Sequence, residues 1–564
     1  MLALAALVIG TGGTLGAWVL LKLIALATNI FWYGQLSFER REIFNASVGI
    51  LVIAIPAIGG LLIGLMARFG SEKIRGHGIP EAIEAILYGE SRLSAKVALL
   101  KPISSAISIG SGGPFGAEGP IIMTGGALGS LIAQQFRLSA AERKTLLVAG
   151  AVAGMTAIFG TPLAAILLAI EVLLFEWKPR SLVPVVAAVL VALAWRPYLI
   201  GSGPMFPLVS GPVGDLQVVA PLAVLVGVVI GLQATLLSNA LYRIEDIFHR
   251  LPVHWMWWPA IGGVVVGLGG LIDAHVLGAG YADIQALLDG SLAVKVVLAL
   301  AVVKAVVWLV ALGSGTSGGV LAPLLILGGA LGYLLGIPLP GPAPFWAMIG
   351  MAGIMSGAMR APLTGALFAV ELTGRFESLP LTIAASAAAY AVSVLLMRRS
   401  ILTEKIARRG RHVLQEFSID PLEFMQAQQV MTRSPKTLAG DRSVANVVKF
   451  FEDEANHRSY PVVDEDGRMV GLVSRSDALR WQHDTELDGD MTLEEALSDA
   501  SQPLAYANTP IGEVADLMID TGVGRIPIVE AKTHKVVGIL SRHDLLKARS
   551  SRRNTERVAK RRKK

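Results

Sequence analysis

"GSGGPFGAEGPIIMTGGALG", Gly110 to Gly129, is the stretch on which the fold turns. It is rich in glycine, lies between apolar segments and holds a single acid, Glu118. A second stretch, "GSGTSGGVLAPLLILGGALG" (Gly313 to Gly332), repeats it without a gap. Gly110, Ser111, Gly112, Gly116, Pro120 and the run from Gly125 to Gly129 all recur at an offset of 203 (Gly110 to Gly313). Lys101 and Lys304 share that offset, and "TPLAAILLAIE" (Thr161 to Glu171) recurs as "APLTGALFAVE" (Ala361 to Glu371) at an offset of 200. Two halves, each carrying a glycine-broken segment, mark a transporter body with its site at the repeat interface near the bilayer midplane.

Composition points the same way. Only 16% of the 564 residues are charged and 53% are hydrophobic, whereas soluble domains are about a quarter charged. The chain reads as an integral, multi-pass membrane protein. Its opening stretch, "MLALAALVIGTGGTLGAWVLLKLIALA", has no positive leader and is too long for a secretory signal, so it is expected to be a membrane helix. Further spans are expected over Leu51 to Met66, Leu182 to Trp195, Val218 to Leu237, Val294 to Leu312 and Leu379 to Met397. Other apolar segments are short and broken, which membranes tolerate only where the backbone is buried or lines a cavity. Gly10 to Gly13 and "GLGG" (Gly267 to Gly270) are read as close helix packing. The expected organisation is an all-α membrane body over 1–403 (repeats about 1–200 and 215–403), a linker over 404–428, a soluble α+β pair over 429–482 and 490–548, and a basic tail over 549–564. The tail holds nine Lys/Arg and one Glu, so the net +6 of the chain is a property of the tail. It reads as a solvated end or a contact for anionic lipid; no groove-reading motif accompanies it, and no nucleic-acid partner is expected. The chain has no cysteine, which excludes disulfides, thiolate metal sites and cysteine nucleophiles.

Helix starts carry unpaired N–H groups and a partial positive charge, and glycine lets an anion approach them. "GHGIPEAIEAI" from Gly76, "GAEGPIIM" from Gly116 and "GGVLAPLL" from Gly318 each offer such a start, with a proline placed early where its missing N–H costs nothing. Three such ends meeting at one point would hold an anion without a full counter-charge. Lys101 and Lys304 either add positive potential there or are paired, structural lysines. Glu118 then reads as a tethered competitor: ionised, it occupies the site; protonated, it leaves. The alternative is a helix-capping carboxylate.

These motifs resemble the CLC family of chloride channels and chloride/proton exchangers, prokaryotic type, over nearly the whole chain. "GAEGP" resembles the family's GREGP or GKEGP element, which makes Glu118 the gating glutamate; "GHGIP" stands where the family has GSGIP, and "GGVLAP" where it has GxFxP. The resemblance implies a homodimer with one anion pathway per subunit, an inverted repeat of tilted, broken helices, and cytoplasmic termini in a prokaryotic inner or plasma membrane. It implies an anion-binding set of His77, Gly78, Ile79, Gly116, Ala117, Val320, Leu321 and Leu402, with backbone N–H donors from Val320 and Leu321. His77 replaces a serine whose hydroxyl reaches the central anion, Leu402 replaces a tyrosine with the same role, and Leu321 replaces a phenylalanine. His77 either donates when neutral and adds charge when protonated, or points away and leaves a bare helix end. Family exchangers usually carry a proton-relay Glu after the Ile-Glu pair; here Ile170-Glu171 is followed by Val172. That favours a channel carrying chloride or a related monovalent anion over a proton-coupled exchanger.

In the soluble part, two segments repeat the order turn, helix, strand, hairpin, strand, helix: Val430 to Leu479 and Pro503 to Leu546. Both end G-apolar-apolar-S-R-x-D, at Gly471 to Asp477 and Gly538 to Asp544. They resemble a CBS pair. The resemblance implies adenine-nucleotide contacts from Ser474 or Ser541 (phosphate or ribose) and Asp477 or Asp544 (ribose hydroxyls); the alternative is a pair without ligand, serving dimer packing. The linker run "EKIARRGRH" offers a route from this pair to the pore, although the sequence shows no two-state element. A membrane metalloprotease would need HExxH or a comparable constellation, and the nine histidines are scattered. No enzyme and no metal or required cofactor is expected. A membrane-anchored nucleotide sensor with an inactive pore is the remaining rival, kept open by His77 and Leu402.

Overall fold

In a computed structural model, residues 2–46, 49–136, 138–209, 214–411, 425–484, 489–497 and 502–548 are described. The basic tail, linker residues 412–424 and parts of the second soluble segment lie outside them. The chain divides into two compact units, Met1–Glu416 and Phe417–Lys564.

The first unit is helical. Among the described residues, seven helices are long and apolar enough to cross a membrane, including Leu4–Tyr33, Leu51–Phe69, Pro179–Leu199, Leu216–His249 and Val294–Gly313. One, Trp255–Ile272, is absent from the sequence-based spans. Its glycines Gly262, Gly263, Gly267 and Gly270 explain why: they dilute its apolar character while letting it lie close on its neighbours. A Cβ at Gly263 or Gly267 would collide with the Leu51–Phe69 helix, and the two helices pack along their length.

The two halves pack alike. Glu118–Gln135 lies on Ala140–Phe159, which lies on Pro179–Leu199; in the second half Leu321–Gly336 lies on Ala343–Met359, which lies on Leu379–Leu396. Beyond their first turns, Ala140–Phe159 and Ala343–Met359 are buried all round, as centre helices must be. Helix starts are set locally: Ser139 and Glu142 form a capping box, and Asp215 accepts from the Gln217 N–H.

Two observations define a twofold relation between the halves. Gly116 and Gly319, equivalent at the 203 offset, pair with each other: Gly319 N–H donates to Gly116 O at 2.9 Å and Gly116 N–H to Gly319 O at 3.3 Å. Equivalent residues bond each other mutually only beside a twofold axis. Glu171 and Glu371 repeat the reciprocity. Glu371 accepts from the N–H groups of Leu163 and Ala164 at 2.9 and 2.8 Å. Glu171 accepts from those of Leu363 and Thr364 at 3.3 and 2.9 Å, and from the Thr364 hydroxyl at 2.7 Å.

The second unit is α+β. One sheet joins Leu438–Ala439, Ser459–Val463 and Met469–Ser474. The other runs Thr432–Arg433, Val536–Ser541, Arg525–Val529, Ala505–Tyr506. Thr432 therefore pairs with Ile539 of the second module, not with its own. The two hairpins also touch, Met469 N–H donating to His534 O at 3.0 Å.

Candidate functional site

Three loops meet beside the twofold axis. Gly76 pairs with Ser317 and Gly116 with Gly319, so the starts of Ile79–Tyr88, Glu118–Gln135 and Leu321–Gly336 converge. Glycine is required for this approach. Gly78 has φ of 87° and a Cβ there would stand 2.7 Å from Gly119 O, while a Cβ at Gly119 would strike His77 O.

Glu118 is fully buried in the first turn of its helix. Its carboxylate folds back between Gly116 and Gly319, where any side chain would displace it. It lies at the start of its own helix and beside Gly319, just before the start of the opposite half's helix. The Tyr281 hydroxyl donates to Glu118 Oε1 at 3.4 Å and accepts from the Ala117 N–H at 3.0 Å. Oε2 is buried and has no hydrogen-bond partner. At the 203 offset the counterpart of Glu118 is Leu321, so this position carries an acid in one half only.

The donors differ in detail from those expected at the sequence level. The Gly116 N–H is used by Gly319 O, the Ala117 N–H by Tyr281, and the Gly78 N–H by Glu81 Oε2 at 3.0 Å. Val320 and Leu321 stand at the start of the opposite half's helix and are buried. Ile79 opens its helix and is buried. His77 is buried with Nδ1 unpartnered. Leu402 is buried and brings no donor; the carbonyl beside it, Ile401 O, accepts from the Tyr242 hydroxyl at 2.5 Å. The hydroxyl at the gate is that of Tyr281, which sequence reasoning missed. Extending the 203 offset would have found it, since Tyr281 falls opposite Gly78 at the start of an equivalent helix.

Lys101 and Lys304 are fully buried, and both hold loops. Lys101 Nζ donates to Ile74 O and Gly76 O at 2.8 and 2.7 Å, just before the Ile79–Tyr88 helix. Lys304 Nζ donates to His275 O and Gly278 O at 3.2 and 3.5 Å, just before Tyr281–Asp289. Their ammonium groups thus fix the loops that aim two helix starts. Beyond the Ile79–Tyr88 helix, Lys405 pairs with Glu81 at 3.0 Å. Val172 is buried in a wide turn over Ala169–Leu174.

In the second unit, Ser474 and Asp477 bond each other in a capping box, Oγ to Oδ2 at 2.6 Å, as do Ser541 and Asp544 at 2.6 Å. The pattern S-x-x-D is sufficient to start the helix that follows each strand. Arg480 also reaches Asp477 at 2.9 Å.

Residues 59–394 match the family model described as voltage gated chloride channel, and residues 427–484 and 501–551 match that of the CBS domain. The voltage-gated ClC-type chloride channel ClcB of Salmonella typhimurium is 30% identical over 385 residues, 66% of this chain and 92% of that protein. The ClcB of Escherichia coli O81 is 31% identical over 365 residues, 63% of this chain and 87% of that protein. Two solved structures share the fold. A slow cyanobacterial Cl-/H+ antiporter superposes with a TM-score of 0.62 at 23% identity, over 72% of this chain and 97% of that one. A eukaryotic CLC transporter does so with a TM-score of 0.60 at 20% identity, over 96% and 97%. The chain is a membrane protein of the voltage gated chloride channel family with a C-terminal pair of CBS domains.

Proposed function

We propose that the protein carries chloride or a related monovalent anion across a membrane, with the Glu118 carboxylate as its gate. The observation that carries this reading is the resting place of that carboxylate, buried between Gly116 and Gly319 at the starts of two helices, whose first N–H groups have no intrahelical acceptor. A permeating anion needs the same donors, so ion and carboxylate compete for one position. His77, Gly78 and Ile79 form the approach on the other side of Gly119, and the unpartnered His77 Nδ1 is available to an anion there.

The transport is channel-like. Valine occupies position 172, and the neighbouring acid Glu171 is tied to two N–H groups and a hydroxyl of the opposite half. An acid so engaged is a poor mobile relay. A proton-coupled exchanger is the second reading. One observation favours it: Tyr281 lines a cavity and its hydroxyl bonds Glu118, which offers a proton a path to the carboxylate on that side. Purified protein in liposomes under combined chloride and pH gradients decides between them. The expected reversal potential follows chloride alone. A shift with pH at fixed stoichiometry supports the exchanger, and the absence of any anion flux supports the inactive-pore sensor. The CBS pair acts as a regulatory unit for adenine nucleotide, and the protein works as a homodimer; nucleotide-dependent flux and the oligomeric mass in detergent test these two points.

A further inference from the structure

A cavity of roughly 500 Å³ opens on the Tyr281 side of the gate, lined by Ala117 and Tyr281 and roofed by the segment from Phe38 to Phe44. Ala117 occupies the position at which the resembling motif carries Arg or Lys, so the residue beside Glu118 brings no charge. The Arg40 guanidinium lies over the Tyr281 ring, 5.6 Å from its centroid. The hydroxyl of that same ring bonds Ala117 and Glu118.

The other charged side chains that line the cavity are Lys22, Glu39, Arg41, Glu42 and Asp283. Glu39 stands 3.6 Å from Arg41, whose guanidinium also bonds Gln35 at 2.8 Å. Asp283 bonds His275 at 2.6 Å. Glu42 stands 3.9 Å from Arg40, too far for a tight pair, and the Arg40 side chain is 64% exposed. A solvated cation on the ring that contacts the gate attracts an approaching anion and gives a displaced Glu118 carboxylate a counter-charge to move toward.

We propose that Arg40 is a specificity-determining residue of the anion pathway, supplying from the Phe38–Phe44 segment the positive charge that position 117 lacks. This rests on the transport reading. The chain has no cysteine, so Arg40→Cys introduces a single thiol that can be given either charge. In liposomes, Arg40→Cys is expected to raise the half-saturating chloride concentration about threefold to tenfold with the maximal flux retained. A cationic methanethiosulfonate added to both faces restores the wild-type value, and an anionic one raises it further. Added impermeant salt narrows the difference between the two, because the effect is electrostatic. Equal responses to the two reagents, or none, with wild-type flux intact, overturn the Arg40 assignment alone. Wild-type protein that carries no anion overturns the transport reading, and the Arg40 assignment falls with it.

Discussion

Glu118→Gln is expected to raise chloride flux at neutral pH about tenfold or more and to abolish its pH dependence. The reasoning starts from the carboxylate's surroundings. It is buried between Gly116 and Gly319 at two helix starts, with Oε2 unpartnered. Ionised, it is held by the partial positive charge of two helix starts. Protonated, it loses most of that attraction, and its place is open to an ion. Wild-type flux should therefore rise as pH falls. A gate closed by one side chain leaves an open minority of about 0.1–10%, so a variant that cannot ionise gains about one to three orders of magnitude. Glutamine keeps the shape and an acceptor for Tyr281 but carries no charge. Chloride efflux from liposomes at pH 7.5 and 4.5 measures both effects. The variant should match the acid limit of the wild type at both values. A variant that conducts no more than wild type at pH 7.5 and keeps its pH response removes Glu118 from the gate.

Much of this site could be read before the fold was known, because its parts are local. A helix start is written in a few residues, and the 203 offset placed Gly116 opposite Gly319, which do bond each other. What escaped is what long-range packing decides. Whether an N–H at a helix start is free depends on the loop that lies across it. Gly78, Ala117 and Gly116 each lose theirs to Glu81, Tyr281 and Gly319 respectively. The gate hydroxyl escaped for the same reason: Tyr281 is 163 residues from Glu118 and belongs to the other half. Two alternatives left open by the sequence now have geometry. Lys101 and Lys304 hold carbonyls of approach loops, so any potential they add reaches the site from behind those loops. The serine–aspartate pairs of the soluble unit cap helices, and any nucleotide contact would compete with that capping. The exchange of Thr432–Arg433 onto the second module's sheet was not legible, since a two-residue strand carries no periodicity.

The second large effect is expected at the crossed pair of acids. Pro162–Leu168 and Pro362–Thr373 begin abruptly inside the membrane body, each with a proline in the first turn. Their next N–H groups have no intrahelical acceptor. Each start is closed by the acid that ends the same segment in the other half: Glu371 for Leu163 and Ala164, Glu171 for Leu363 and Thr364. The two clasps tie the halves together around the axis that carries Glu118. Glu371→Ala leaves two N–H groups unmatched, one of them on the fully buried Ala164, and is expected to destabilise the protein by about 2–5 kcal/mol. Thermal unfolding in detergent, followed by tryptophan fluorescence, should show a clear drop in midpoint. Glu371→Gln, which retains one acceptor oxygen, should fall between Ala and wild type. The same series separates structure from proton transfer. If Glu171→Gln is destabilised and its anion flux keeps the wild-type pH response, the acids are clasps and the channel reading stands. If its stability is unchanged and the pH response disappears, Glu171 moves protons, and the valine at 172 has not removed the relay from this chain but displaced it by one residue.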